Sequence, residues 1–504
     1  MRTDPSQAAS LHGGLQMNAS PLAQTFLALG FLMAAGCSRQ FPLLDSMPGL
    51  ARFSRLIGRS SRSDSSNHLG IVAHETPSGV KILIQQTPGV GVVTLDAWVA
   101  TGSADEPPSL GGVSHFLEHM LFKGTRNFAP GEMDRLVEGM GGELNAATAQ
   151  DFTHYYITAP SENIAKALAA LADAVMESTL DPAELEKERG VVLEEINRKD
   201  DDPMGLLYET AYETAFLSGP YRGSVLGQAD VIAHVSREDM LEYYRRRYTP
   251  KTVILVAVGD LTAEDVMSEA DRVFAAFNRP LQSFENAGGQ TRWNAGADLA
   301  IEKDVNEAYV ALVYPGPSLR EPRFVVATDV LQTALATGRA SRLYRELKER
   351  RQIVTTISAG YPTHRYDSFF LVAATAAPER LEEFRAALEE QLARVCREKF
   401  SAEELRRAKR SLINEHYFSK ETSSGAASVL GYYFTLTGAL DFEANYIKTI
   451  ESISAGEVCK AARRIFSPAN AVRVVIEPKK AESAAQGPAG NPQEPPVEDS
   501  KPGD

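Results

Sequence analysis

The run Ser114-His-Phe-Leu-Glu-His-Met120 constrains this chain more than any other stretch of it. Histidines four apart, with a glutamate three residues after the first, share one face only in a helix, where positions i, i+3 and i+4 are surface neighbours. On that face His115 and His119 offer two imidazole nitrogens to one metal ion, and Glu118 sets a carboxylate beside it. Two neutral imidazoles and a nearby base are what a catalytic zinc with bound water needs. The plainer reading of the same pattern is a polar helix face with two solvated histidines. A third ligand separates the two readings, since a catalytic zinc takes three protein ligands and leaves one position for water.

A second, acidic helix can supply it. Asp181-Pro-Ala-Glu-Leu-Glu-Lys-Glu-Arg-Gly-Val-Val-Leu-Glu-Glu-Ile196 opens with an N-cap aspartate and a proline at the first helical position. Glu188 and Glu195 stand two turns apart and project from one face, so one can ligate while the other orients a ligand or accepts a proton. Glu184, Glu186 and Glu194 read as solvated. The order H-x-x-E-H inverts the commoner H-E-x-x-H and marks the inverted zinc peptidases.

The chain resembles the pitrilysin/insulinase family of zinc metallopeptidases, nearest to its shorter members such as mitochondrial processing peptidase and bacterial homologues. The carrying residues are Gly111 through Thr125, Gly141-Gly-Glu-Leu-Asn-Ala-Ala-Thr148 and Glu188 through Glu195, with Pro220-Tyr221 and Leu226-Gly227 downstream. The resemblance spans residues 68–478. It implies one zinc ion per chain held by His115, His119 and Glu195, the last following His119 at the family's interval. It also implies Glu118 as the base that deprotonates the attacking water, and Glu188 as the additional acidic residue supporting the site. Residues 143–148 read as a strand after a Gly141-Gly142 turn, and in the family this edge strand, here Asn145 and Ala146, receives substrate as an added strand. The implied fold is α+β: two duplicated lobes, each a mainly antiparallel sheet packed with helices, forming a clam-like chamber. Such a chamber admits peptides or unfolded segments and makes the expected activity that of a zinc endopeptidase.

Length and charge fit an enzyme of this kind. A chain of 504 residues has room for several cores. Its net charge of −14 provides no broad basic face for phosphate, which argues against nucleic acid as a partner. Cys37, Cys396 and Cys459 do not make a disulfide framework. Strands are expected at 79–86, 91–100 and 253–259, with helices near 130–140, 161–178, 182–199, 205–216 and 236–247. The expected division is a leader and flexible linker (1–67), a catalytic zinc-binding lobe (68–271), a linker (272–298), a homologous non-catalytic lobe (299–478) and a disordered tail (479–504).

Weak echoes at one offset point to duplication. Ala183-Glu-Leu185 recurs as Glu403-Glu-Leu405, Thr158-Ala-Pro160 as Ala376-Ala-Pro378, and Arg246-Arg-Tyr-Thr-Pro250 as Arg464-Ile-Phe-Ser-Pro468. The zinc residues do not recur, and Ser341-Arg-Leu-Tyr-Arg-Glu-Leu347 stands opposite the motif helix. One departure from the family follows it. Active single-chain relatives carry an arginine and a tyrosine seven apart that hold and polarise substrate; here Lys348 and Thr355 fall at those substrate-binding positions. Lysine lacks the bidentate fork of arginine, and threonine has no phenol. The expectation is therefore a heterodimer in which a related subunit supplies the Arg/Tyr pair. The competing reading is a catalytically silent scaffold or assembly subunit, which has no use for intact His115, Glu118, His119 and Glu195.

Near the N-terminus, Phe26–Cys37 is an apolar run too short to span a bilayer comfortably but suited to a signal-peptide core. Ala34-Ala-Gly-Cys37 resembles a bacterial lipoprotein cleavage box. An exported protein is expected, periplasmic or membrane-anchored through lipid on Cys37. Only Arg2 provides positive charge before the run, and a cytoplasmic protein with a mis-assigned start is the alternative.

Overall fold

Val93, Leu95, Ala97 and Val99 alternate with Thr94, Asp96 and Trp98 along one strand, and both sets are buried. A strand covered on both faces needs a layer packed on each side of its sheet. The computed structural model describes residues 70–282 and 291–479; the leader with Cys37 and nearly all of the expected tail lie outside them.

In the first lobe β1 (Ile71–Glu75), β2 (Lys81–Gln86) and β3 (Val92–Val99) precede α1 (Val113–Leu121) and α2 (Glu132–Gly139). There follow β4 (Glu143–Thr148), β5 (Thr153–Pro160), α3 (Ile164–Glu177), α4 (Pro182–Arg198) and α5 (Pro203–Ala215). The lobe continues through the short β6 (Phe216–Ser218), α6 (Ala229–His234), α7 (Arg237–Arg247), β7 (Val253–Gly259) and α8 (Ala263–Val273). The second lobe has β8 (Arg292–Trp293), β9 (Asp298–Lys303), β10 (Ala308–Gly316), α9 (Pro322–Ala336), a π-helical segment Tyr344–Arg350, β11 (Thr356–Gly360) and β12 (Ser368–Ala376). It closes with α10 (Leu381–Arg397), α11 (Ala402–Phe418), α12 (Ser423–Thr437), α13 (Phe442–Ser452), α14 (Ala455–Ile465) and β13 (Val472–Pro478).

The architecture is α+β in two similar lobes. Among the described residues one sheet runs β1-β2-β7-β3-β5-β4 and the other β9-β13-β10-β12-β11. Each has one parallel pair, β2 with β7 and β9 with β13, in an otherwise antiparallel ladder. Strand for strand, the second sheet repeats β2-β7-β3-β5-β4. This topology corrects one expectation: α9 follows β10 as α1 follows β3, so Pro322–Ala336, not Ser341–Leu347, takes the place of the motif helix. It carries no histidine. The stretch 272–298 is not wholly linker either, since β8 within it pairs with β6.

The lobes exchange helices. From the second lobe, α12 buries Ala427, Leu430 and Phe434 against Leu83, Trp98 and Val256 of the first sheet. Its counterpart in chain order, α5, buries Leu207, Ala211 and Tyr212 among Ala311, Phe369 and Val474 of the second sheet. A Cβ at Gly431 would stand 2.1 Å from Trp98 Nε1, so glycine is what permits that approach. At about 1.5–3 kcal/mol per fully buried Leu or Phe side chain, the two seams hold the lobes together. At the tips of equivalent hairpins, Asp151 accepts the Arg365 backbone N–H at 3.1 Å and the Tyr221 hydroxyl at 3.2 Å. Burial opposes the charge on Asp151, but His364 and Arg365 outweigh it and hold its pKa low.

Candidate metal centre

The motif helix is fixed from behind and from its start. Val113, Phe116, Leu117, Met120 and Leu121 form its apolar stripe and are buried in the first-lobe core, which turns His115, Glu118 and His119 the other way. Gly112 precedes the helix in the left-handed region, φ 96°, and has no side chain to cap it. Glu106 does this instead, accepting the Gly112 N–H and the Ser114 N–H at 2.7 Å each. Burial pushes the Glu106 carboxyl up to about 8, against the pull of those two donors. Gly227 packs on the same point: a Cβ there would lie 2.4 Å from the Gly111 carbonyl oxygen, which gives Leu226-Gly227 a steric reason to be glycine.

α4 starts where the sequence indicates, with Asp181 capping Ala183 and Glu184 and Pro182 at the first position. It lies against α1 and brings its two glutamates to the histidines. Glu195 Oε2 stands 3.6 Å from His115 Nε2 and 3.6 Å from His119 Nε2. Ligand atoms from the three residues fall within 4.8 Å of one another. Around a tetrahedral zinc with bonds of about 2.0–2.2 Å, neighbouring ligand atoms stand about 3.3–3.6 Å apart. Both Glu195 distances match that spacing, and the donor chemistry fits.

The surroundings prepare these nitrogens. Glu188 Oε2 lies 3.1 Å from His119 Nδ1, and its Oε1 pairs with Lys123 Nζ at 2.9 Å. A carboxylate at Nδ1 fixes the proton there and leaves the Nε2 lone pair for a metal. Burial lowers the pKa of His115, keeping it in the neutral form a ligand requires. Burial acts the same way on His119, but the hydrogen bonds of Glu195 and Glu188 outweigh it and raise its pKa. Glu195 is held low first by His119, and Glu188 is held low by Lys123 and His119 against its own burial. Glu118, half-buried, accepts the Thr148 hydroxyl at Oε2, 2.5 Å away.

β4 is the edge of its sheet, hydrogen-bonded to β5 alone, and lies against α1. Asn145 is exposed, and its side-chain oxygen accepts the Ala146 N–H at 2.8 Å. Lys348 and Thr355 stand elsewhere, at the edge of the second sheet. There the Lys348 Nζ donates to the Thr355 carbonyl at 2.6 Å, and the Thr355 hydroxyl donates to Glu307. The expected substrate-binding residues thus fall into two groups, one beside the metal helix and one bonded within the second lobe. Glu106 and Thr148 carry no local sequence signal for a role at the site. The only hint of Glu106 is a carboxylate just upstream of an uncapped Gly-Gly helix start, and Thr148 was legible only as the end of a strand.

Residues 81–228 match the family model described as Insulinase (Peptidase family M16), and residues 234–412 match that of the Peptidase M16 inactive domain. An uncharacterized zinc protease of Rickettsia bellii is 29% identical over 402 residues, 80% of this chain and 96% of that protein. The uncharacterized zinc protease YmxG of Bacillus subtilis is 25% identical over 399 residues, 79% of this chain and 96% of its own length. A protease from Helicobacter pylori shares the fold with a TM-score of 0.76 and 26% identity, over 81% of this chain and 99% of that one. The M16 inactive domain from Pseudomonas fluorescens does so with a TM-score of 0.75 and 19% identity, over 82% and 99%.

Proposed function

This chain belongs to the insulinase, or M16, peptidase family, and on that premise we propose that it is a zinc-dependent endopeptidase acting on peptides or unfolded segments. The observation that carries the reading is the convergence of His115, His119 and Glu195, with Glu118 on the same helix face. Those three residues would hold one zinc ion, which when bound supplies a Lewis acid for the scissile carbonyl and lowers the pKa of water. Glu118 takes the proton of the attacking water and returns it to the leaving amine. Glu188 keeps the His119 ring in the ligating orientation. A peptide laid on β4 is held through main-chain hydrogen bonds, so recognition favours extended backbone over a particular sequence.

A partner subunit completes the site in this proposal. Lys348 donates to the Thr355 carbonyl and Thr355 donates to Glu307, and neither side chain offers what an arginine and a phenol would. The helix exchange already joins the two lobes of one chain, so a chamber would close between two chains. The apolar run ending at Cys37 supports export, with a lipid anchor on that cysteine.

The test is hydrolysis of a mixed peptide library by the purified chain, alone and with a related subunit, with Glu118→Gln beside it and zinc quantified in each. Cleavage by wild type only, at equal zinc content, upholds the reading. Bound zinc without cleavage in any combination leaves the silent scaffold.

A further inference from the structure

We propose that Thr148 is a positioning residue for the base, so that the strand receiving substrate also aims Glu118; this rests on the peptidase reading above. Thr148 is the last residue of β4. Period-two alternation exposes Glu143, Asn145 and Ala147 and turns Leu144, Ala146 and Thr148 inward, where Leu144 and Ala146 pack on the first-lobe core. From that face the Thr148 hydroxyl donates to Glu118 Oε2 at 2.5 Å, a length typical of a charge-assisted bond.

Thr148 is itself rigid. It is β-branched, and it lies in register with Thr153 of β5, whose hydroxyl is anchored on the Thr101 carbonyl at 3.0 Å. Glu118, by contrast, has three side-chain torsions in a partly open site. Among the described residues the Thr148 hydroxyl is the one hydrogen-bond donor to its carboxylate. With Oε2 held, Oε1 is left to face the attacking water. A peptide laid along β4 therefore bears on the same element that fixes the base, and docking and base alignment are coupled through one strand.

Thr148→Val keeps size and branching but removes the hydroxyl; Thr148→Ser keeps the hydroxyl. The expected result is a fall in kcat of about 10–100-fold for Thr148→Val, with KM and zinc content close to wild type, and recovery of most of the loss by Thr148→Ser. A stability cycle of Thr148→Val with Glu118→Ala reads the contact without turnover, and the two changes should be non-additive. Unchanged kcat in Thr148→Val, failure of Thr148→Ser to recover it, a parallel loss of zinc, or additivity in the cycle overturns the inference while leaving the peptidase reading intact. A wild type that cleaves no peptide in any combination overturns both.

Discussion

Helices α1 and α4 of the first lobe and α9 and α11 of the second follow equivalent strands in the same order. Counting from the first residue of α4 and of α11, Glu188 corresponds to Ala408 and Glu195 to Glu415. The acid at the second position is thus present in both lobes, in different states. Glu195 faces two imidazoles, and its hydrogen bond to His119 lowers its pKa. Among the described residues the Glu415 carboxylate meets the Ser411 hydroxyl alone, at 3.3 Å, and burial raises its pKa. One residue type at one place in a repeated fold is stabilised as an anion where histidines meet it and pushed toward the neutral acid where none does. The same frame carries both sets of side chains, and the proposed chemistry rests on a few of them on α1 and α4.

The comparison breaks most sharply at the base. Glu118→Gln should cut peptide hydrolysis by about 10²–10⁴-fold with zinc retained, whereas Glu415→Gln should leave kcat unchanged in the same assay. A second-lobe effect of similar size would mean that the lobes share the chemistry. Exchanging the other pair sharpens the contrast. Ala408→Glu should destabilise by about 3–5 kcal/mol in denaturant unfolding, because it buries a carboxylate with no imidazole to meet it. Glu188→Ala should instead weaken zinc by about 10–100-fold, read by competition with a chromophoric chelator.

Smaller effects test the seam and the helix start. Gly431→Ala drives a methyl into Trp98 and should cost about 1–3 kcal/mol. Hydrogen exchange should show both lobes loosening, since α12 belongs to one and covers the sheet of the other. Glu106 gives a pH signature. In the unfolded chain its carboxyl ionises near the ordinary 4.5, but in the folded chain it stays protonated up to about 8. Folding therefore takes up a proton in that window, and this group's contribution to stability declines as pH rises from 4.5 to about 8, then levels off. Glu106→Gln should flatten that part of a melting-temperature profile against pH.

Much of the candidate metal site was legible because helices translate sequence spacing directly into neighbourhood. Two histidines four apart and two glutamates seven apart need no tertiary information to share a face. The cap of α4 was equally readable, since Asp181 and Pro182 satisfy or remove the first backbone donors locally. The duplication was legible at Glu403-Glu-Leu405, which falls where α11 aligns with α4, but not at the motif helix. Apolar stripes tolerate substitution so freely that Ser341–Leu347 passed for the motif helix until strand order put α9 in its place.

Contacts that no helix or strand period sets were out of reach. Glu106 at the start of α1, Thr148 on Glu118, and the crossing of α5 and α12 onto each other's sheets join residues 6, 30 and hundreds of positions apart. No local periodicity encodes such pairs. Spacing and local caps marked the side chains able to ligate a metal and put each of them on a helix. That the two helices meet came from the folded core, because a 3.6 Å approach between an imidazole and a carboxylate is set by packing across it.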